Sequence, residues 1–187
     1  MTLIVETGLM VVGAQSYIAV ADADQYHSDR NNTAWANLTV PAKEAALRLS
    51  CDFMVDTYRQ YWKGYRNDPN QALDWPRYGV ILENDLDLSR YVNVYNRAIQ
   101  PYFVPSTIVP REIKESQAEF ALVASVPGAL NPNVSRGKKR VKIGSLEVEY
   151  DGYAALNTKF AIATGRLSVY LRGMGMSAGT MVRLVRA

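Results

Sequence analysis

The sequence predicts a mainly α-helical protein: a small helical bundle with an extended β-hairpin or arm and a C-terminal strand. Residues 41–62 and residues 110–126 repeat apolar side chains with the period of an amphipathic helix. Residues 140–150 instead alternate apolar and polar side chains on either side of Gly144 and Ser145, as the arms of a hairpin do. Hydrophobic residues make up 48% of the chain and charged residues 21%, which is enough apolar surface for a packed core.

The segment 110–126 is expected to be the central helix of that core. Pro110 suits the first helical position, because its missing N–H would have no partner there and its φ is already helical. The apolar residues form a wide stripe, as in a helix that packs on two sides. Pro127 and Gly128 end the helix.

Local patterns predict the remaining elements. The helix over 41–62 has Thr39 as its expected N-cap and Pro41 in its first turn. Trp75 should be extended, because the residue before a proline is kept out of the helical region. In chain order, the other expected elements are a short strand at 3–6, an extended segment at 16–20, a helix at 21–30, a tight connection around 35–38, a loop at 66–71, a compact aromatic and proline turn at 71–77, a short helix near 88–98, a last helix at 156–172 and a terminal strand at 180–187.

These elements divide the chain into two regions. Residues 1–127 are expected to form a helical core with an insertion at about 78–106. Residues 128–187 are expected to form a basic β-arm, the last helix and a C-terminal tail. The net charge of +3 is unevenly distributed, since residues 128–187 hold ten Lys and Arg against three acidic residues. A basic region of this kind can contact phosphate or an acidic partner surface.

Nothing in the sequence indicates an enzyme, a cofactor or a metal site. The single histidine, His27, and the single cysteine, Cys51, lie on different predicted helices, whereas a zinc site needs several N or S ligands. His27 is interpreted as a helix-surface residue and Cys51 as a small core residue. The glycines at 173, 175 and 179 lack the context of a phosphate-binding loop and are interpreted as a hinge. No apolar run reaches the ~18–20 residues that span a bilayer, so no membrane contact is expected.

Two features remain as candidate binding surfaces. The hairpin and the terminal strand have no obvious sheet within a mostly helical chain, and an unpaired strand edge favours pairing with another chain. The residues of the terminal strand expected to contact a neighbouring subunit or partner are Thr180, Val182, Arg183, Leu184, Val185 and Arg186. A basic cluster on the loop that enters the hairpin can contact phosphates without reading sequence. Its members are Arg136, Lys138, Lys139, Arg140 and Lys142.

An ordered series of short motifs resembles one family over nearly the whole chain. The most specific of them contains Trp75, Pro76 and Arg77, which we interpret as a structural motif. The series is Ile4-Val5-Glu6-Thr7-Gly8, Ser16-Tyr17, Ala21-Asp22-Ala23-Asp24-Gln25-Tyr26, Ala34-Trp35, Lys43-Glu44-Ala45-Ala46-Leu47, Gln71-Ala72-Leu73-Asp74-Trp75-Pro76-Arg77, Val109-Pro110, Val141-Lys142-Ile143-Gly144-Ser145-Leu146-Glu147-Val148-Glu149-Tyr150 and Val182-Arg183-Leu184-Val185-Arg186.

These motifs resemble those of tailed-phage and prophage proteins, which include head–tail connector (neck adaptor) proteins and proteins described as DnaT-like single-stranded-DNA-binding proteins. The connector resemblance implies a structural, non-enzymatic adaptor in the neck of a bacteriophage virion, made in the host cytoplasm. It implies a homo-oligomeric ring, with twelve-fold symmetry, that joins the portal protein to the tail or a further neck protein and lets duplex DNA pass. The segment 81–106 is an insertion relative to the usual pattern.

The two descriptions predict different surfaces. Sequence-neutral binding of single strands uses a basic groove lined with stacking aromatic residues, and the basic cluster has no aromatic residue before Tyr150. A connector instead needs extended arms for contacts between subunits. The connector is therefore the preferred interpretation. The alternative is a single-stranded-DNA-binding replication protein, whose affinity would fall on replacing Tyr91, Tyr95 or Tyr102 by alanine.

Overall fold

The structure is a computed structural model. It describes residues 2–82, 103–130 and 161–172, together with the backbone of two strands at 140–143 and 146–149. The described chain is mainly helical with small antiparallel strand pairs, which confirms the predicted fold class. The expectations for the helix at 88–98, the terminal strand at 180–187 and the first part of the last helix lie outside the described residues.

Five α-helices and two strand pairs make up the described chain. The helix α4 (Arg111–Ala124) packs against α1 (Val20–Ser28), α3 (Val40–Tyr58) and α5 (Ala161–Leu167), so it is the centre of the bundle. In chain order the elements are α1 (Val20–Ser28), α2 (Thr33–Ala36), α3 (Val40–Tyr58), β1 (Tyr65–Arg66), β2 (Arg77–Tyr78), α4 (Arg111–Ala124), β3 (Arg140–Ile143), β4 (Leu146–Glu149) and α5 (Ala161–Leu167), which continues as a 3₁₀ turn over Ser168–Tyr170.

The two long helices begin close to where the sequence predicts. The Thr39 hydroxyl accepts the N–H of Ala42 at 3.4 Å and caps α3, and Pro41 lies in its first turn, as expected. Pro110 was expected to be the first helical residue but is the N-cap of α4 with an extended ψ of 149°, so the helix begins one residue later, at Arg111. The helix α3 ends at Tyr58, four residues short of the expectation, because the chain then turns so that Trp62 can pair with Leu171.

Four expectations for the first half of the chain are wrong in detail. Residues 3–6 do not form a strand and make a single parallel bridge between Val5 and Ser16. The connection around 35–38 contains the short helix α2, and the expected loop at 66–71 begins within the strand β1. His27 is not a surface residue, since only 1% of it is exposed. Its Nε2 lies 3.1 Å from the carbonyl oxygen of Ala118, because α1 packs this face against α4.

Buried Glu6 organises the loop that follows the bridge. Its two carboxylate oxygens accept the backbone N–H groups of Gly8, Met10 and Val11 at 2.8 to 3.0 Å. A carboxylate can be buried when its acceptor positions are filled in this way. Glu6 therefore fixes the conformation of this loop.

One hydrophobic cluster contains residues from both predicted regions, 1–127 and 128–187. The hydroxyl of Ser116 on α4 donates to the carbonyl of Ala163 on α5 at 3.1 Å. Cys51 is fully buried, as expected. The larger cluster of buried hydrophobic residues is Ala14, Tyr17, Cys51, Met54, Tyr58, Trp62, Leu73, Trp75, Val80, Val104, Val109, Ile113, Phe120, Ala163, Leu167, Tyr170 and Leu171.

The two strands of the expected hairpin form, and Gly144 and Ser145 between them lie outside the described residues. The strands β3 and β4 are antiparallel, with Val141 opposite Val148 and Ile143 opposite Leu146. The register places two members of the basic cluster opposite acidic residues, Arg140 opposite Glu149 and Lys142 opposite Glu147.

Candidate nucleic-acid interface

A two-stranded ribbon carries two tyrosines on the surface. In the antiparallel pair β1 and β2, Tyr65 lies opposite Tyr78 and Arg66 opposite Arg77. Gly64 precedes the ribbon with a φ of +65°, and a Cβ at this position would lie 2.3 Å from the carbonyl oxygen of Tyr78. Only glycine permits so close an approach of the two backbones in this conformation. Glycine at position 64 therefore allows β1 and β2 to pair.

The motif of Trp75, Pro76 and Arg77 anchors the ribbon to the core. Trp75 is fully buried, and its ring meets those of Trp62 and Tyr170 edge to face, with centroids 5.8 and 5.5 Å apart. Such pairs add to the stabilisation from burial. The peptide bond between Trp75 and Pro76 is cis. The strand β2 therefore begins two residues after a tryptophan that is packed in the core.

The buried Arg77 side chain joins the two strands from below. Its Nε donates to the carbonyl of Lys63 at 2.8 Å, and its two terminal nitrogens donate to the carbonyls of Gly64 and Asp74 at 2.9 and 3.2 Å. Burial lowers the pKa of this guanidinium and nearby Asp74 opposes the shift. Three carbonyl acceptors compensate for burying the cation. Arg77 therefore fixes the ribbon and does not reach solvent.

The two tyrosine rings form a paired aromatic surface. Tyr65 is 60% exposed and Tyr78 is 51% exposed. Their ring centroids are 5.5 Å apart and their planes are inclined by 32°. The Arg172 guanidinium lies 5.5 Å from the centroid of Tyr65, and it also donates to the Gly64 carbonyl at 3.3 Å. The Arg172 cation thus lies against the Tyr65 ring, and its side chain is exposed.

The surroundings of the tyrosine pair carry positive charge. The guanidiniums of Arg66 and Arg172 lie close enough to Arg77 that both add to the lowering of its pKa. Arg66 is held in place, since one of its nitrogens donates to the carbonyls of Pro69 and Gln71 at 2.8 and 2.5 Å. The ribbon therefore combines exposed aromatic faces with fixed cations, the two features that sequence-neutral binding of single strands requires.

The residues expected from the sequence lie mostly elsewhere. Trp75 and Pro76 precede the ribbon, and Arg77 is the first residue of β2 with its side chain buried, whereas Arg140 and Lys142 belong to β3. The remaining members of the basic cluster, the terminal strand and the three tyrosines named for the alternative lie outside the described residues: Arg136, Lys138, Lys139, Thr180, Val182, Arg183, Leu184, Val185, Arg186, Tyr91, Tyr95 and Tyr102.

Sequence reasoning missed the tyrosine pair because twelve residues separate its members along the chain. A local signal was present. Each tyrosine has an arginine on one side and a glycine on the other, in Gly64-Tyr65-Arg66 and in Arg77-Tyr78-Gly79. The two segments are near mirror images, which is compatible with an antiparallel pair. Only the pairing register shows that the rings lie together.

The described part of the chain holds neither a group of metal ligands nor a membrane-spanning helix. Among these residues no three His, Cys, Asp or Glu side chains come together as metal ligands would. None of the helices described has both the length and the apolar character needed to cross a membrane.

The comparisons with known proteins give one match. The profile of a family described as "Putative DnaT-like ssDNA binding protein" matches residues 1–187, the whole of the sequence. No curated protein and no solved structure matches the chain. The chain therefore belongs to the DnaT-like single-stranded-DNA-binding protein family.

Proposed function

We propose that this protein binds single-stranded DNA without sequence preference, through the surface formed by Tyr65, Tyr78 and Arg172. The observation that carries the proposal is the exposed tyrosine pair with a guanidinium against one ring. Membership of the DnaT-like family supports the same activity. The connector interpretation rested on the lack of aromatic residues near the basic cluster, and the ribbon supplies aromatic and cationic groups at a different place.

The geometry indicates how a strand would bind. The two rings already stack on each other at 5.5 Å, so a base has no room between them and extends the stack from an outer face. Arg172 and Arg66 are then available to neighbouring phosphates. Every base has a π-face, so this mode is tolerant of sequence. Duplex DNA hides its base faces and should bind less tightly.

Fluorescence anisotropy of a labelled oligothymidine tests the proposal. Replacing Tyr65 or Tyr78 by alanine should weaken binding about five- to 150-fold, which corresponds to the ~1–3 kcal/mol of one stacked base. Tyr65→Phe and Tyr78→Phe are matched controls that keep the ring, and they should bind as the wild type does. A duplex of the same length should bind more weakly than the single strand.

Two outcomes would overturn the proposal. One is an alanine variant that folds normally, as judged by circular dichroism, and binds oligothymidine as tightly as the wild type does. The other is a wild-type protein that shows no affinity for the single strand at low salt. If the duplex bound more tightly than the single strand of the same length, single-stranded DNA would not be the preferred ligand.

The head–tail connector stays a prediction that nothing in the comparisons supports. The same holds for the portal, tail and neck partners, the twelve-fold ring and the location in a virion. Absence of single-strand binding, together with presence of the protein in purified phage particles, would favour that interpretation.

A further inference from the structure

An open groove lies on the side of the bundle formed by α3 and the end of α4. Its volume is about 360 Å³. Apolar side chains from both helices and from the segment after α4 line it: Leu49, Phe53, Ala124, Val126, Pro127 and Leu130. Leu49 is 53% exposed and Val126 is 59% exposed. In the part of the chain that the structure describes, this groove therefore presents apolar side chains to solvent.

Two carboxylates give this groove a negative charge. Asp52 and Asp56 lie one turn apart on α3, so they share a face of the helix. Partial burial raises the pKa of Asp52, and the nearby charge of Asp56 adds to the effect. No cationic side chain lines the groove, and neither carboxylate has an ion-pair partner among the described residues. A cation supplied from outside would relieve this repulsion.

The C-terminal segment of the chain has the complementary composition. Residues 180–187 contain two arginines, Arg183 and Arg186, and no acidic residue. Their apolar residues are Met181, Val182, Leu184 and Val185. A short segment that is both apolar and basic matches a groove that is both apolar and acidic.

We propose that this groove binds the segment 180–187 of a second copy of the protein. Apolar side chains of the segment cover Leu49 and Val126, and the two arginines pair with Asp52 and Asp56. Because the donor segment and the acceptor groove are different surfaces, the contact is heterologous and each copy can bind the next. This inference is independent of the single-strand binding proposed above.

Charge reversal tests the pairing in the full-length protein. The wild type should gain mass with concentration in sedimentation equilibrium. The variant Asp52→Arg/Asp56→Arg should stay monomeric, and so should Arg183→Asp/Arg186→Asp. An equimolar mixture of the two variants should again associate beyond dimers. The native segment of one variant fits the native groove of the other, and the aspartates of the second segment face the arginines of the first groove. Asp22→Arg, on the exposed side of α1, is the control and should associate as the wild type does.

Combining both reversals in one chain makes the test sharper. This fourfold variant should recover concentration-dependent association, because arginines in the groove would then face aspartates in the segment. The proposal is wrong if the wild type is monomeric at all concentrations. It is also wrong if the groove variant folds and associates normally, or if the fourfold variant fails to recover association while its circular dichroism is native.

Disulfide trapping distinguishes a second copy from the same chain. A mixture of Leu49→Cys and Leu184→Cys proteins should give a covalent heterodimer under mild oxidation. Gln25→Cys, an exposed position on α1, replaces Leu49→Cys in the control mixture and should give none. A chain that carries both Leu49→Cys and Leu184→Cys should form disulfides between chains. A bond formed only within one chain would overturn the proposal in favour of self-binding.

Discussion

The side-chain oxygen of Gln117, in the middle of α4, accepts the backbone N–H of Tyr17 at 2.7 Å. The nitrogen of the same amide donates to the carbonyl of Leu47 on α3 and to the hydroxyl of Ser16, both at 2.9 Å. Gln117 and Tyr17 are fully buried. The Tyr17 hydroxyl in turn accepts the N–H of Asp74 at 3.0 Å, next to the motif that anchors the ribbon. One buried amide thus links the N-terminal segment, the two long helices and the candidate interface.

Replacing Gln117 by leucine should destabilise the protein by about 1–3 kcal/mol, because the buried N–H of Tyr17 loses its acceptor while the apolar volume is nearly kept. Urea unfolding followed by circular dichroism measures the change. Gln25→Leu is the control, since Gln25 is exposed on α1 and its loss should cost less than about 0.5 kcal/mol. Equal stability of the two variants would show that the amide bonds are not structural.

Replacing Gly8 by alanine should destabilise the protein, whereas replacing Gly165 by alanine should stabilise it. Gly8 has a φ of +105°, and a Cβ there would lie 2.1 Å from the Thr107 carbonyl oxygen. Gly165 lies on the exposed side of α5 with nothing within 4 Å of its Cβ position. Alanine favours a helix over glycine by about 0.5–1 kcal/mol. Thermal unfolding of both variants should therefore give shifts of opposite sign.

The stability should depend on pH through His27. Burial lowers the pKa of His27 below 6.5, Glu119 and Asp24 oppose the shift, and Arg30 adds to it. The folded state therefore binds the proton less readily than the unfolded state does. The stabilisation from neutral His27 is complete above about pH 6.5 and is lost as the pH falls through the lower, folded pKa. Protonation would also place Nδ1 as a donor against the Asn32 amide nitrogen, 3.4 Å away.

Comparing the wild type with His27→Gln at pH 7.5 and at pH 5 isolates this effect. The difference in the free energy of unfolding should shrink at the lower pH, because other titrating groups contribute equally to both proteins. His27 is the only histidine, so its imidazole resonance can be followed directly by NMR. A difference that does not change with pH, or an imidazole pKa above 6.5, would contradict the prediction.

The thiol of Cys51 should be unreactive in the folded protein. Cys51 is fully buried, and burial together with the nearby charges of Asp52 and Asp74 raises its pKa. The thiolate is the reactive form, so both effects slow the reaction. A chromogenic disulfide reagent should modify the thiol in urea and leave it unmodified in buffer, with free glutathione as the control for the reagent. Immediate reaction in buffer would show that α3 opens readily.

The salt dependence of single-strand binding should reveal a phosphate contact at Arg172. Each phosphate contact contributes about 0.7 to the slope of log K against log salt for single strands, so Arg172→Gln should lower that slope by about this amount. Arg111→Gln is the matched control, because Arg111 is also exposed but forms an ion pair with Glu115 on α4. An unchanged slope in the Arg172 variant would place the phosphates elsewhere.

Local sequence determined the helices and the hairpin. The N-cap at Thr39, the prolines near the starts of α3 and α4, and the alternating pattern of the hairpin strands act within a few residues, so their signals are readable one segment at a time. The burial of Cys51 follows equally from its place on the apolar face of α3. These features required no knowledge of what packs against each segment.

Only the tertiary structure decided the candidate interface and the buried polar groups. His27 faces solvent in an isolated helix and is buried because α4 covers it. The contact of Gln117 with Tyr17 spans 100 residues, and the pairing of Tyr65 with Tyr78 depends on a ribbon held from below by Trp75 and Arg77. Such contacts form between segments distant in sequence, where neither periodicity nor capping gives a signal. The sequence by itself therefore determined the elements, and their packing decided which side chains are exposed together.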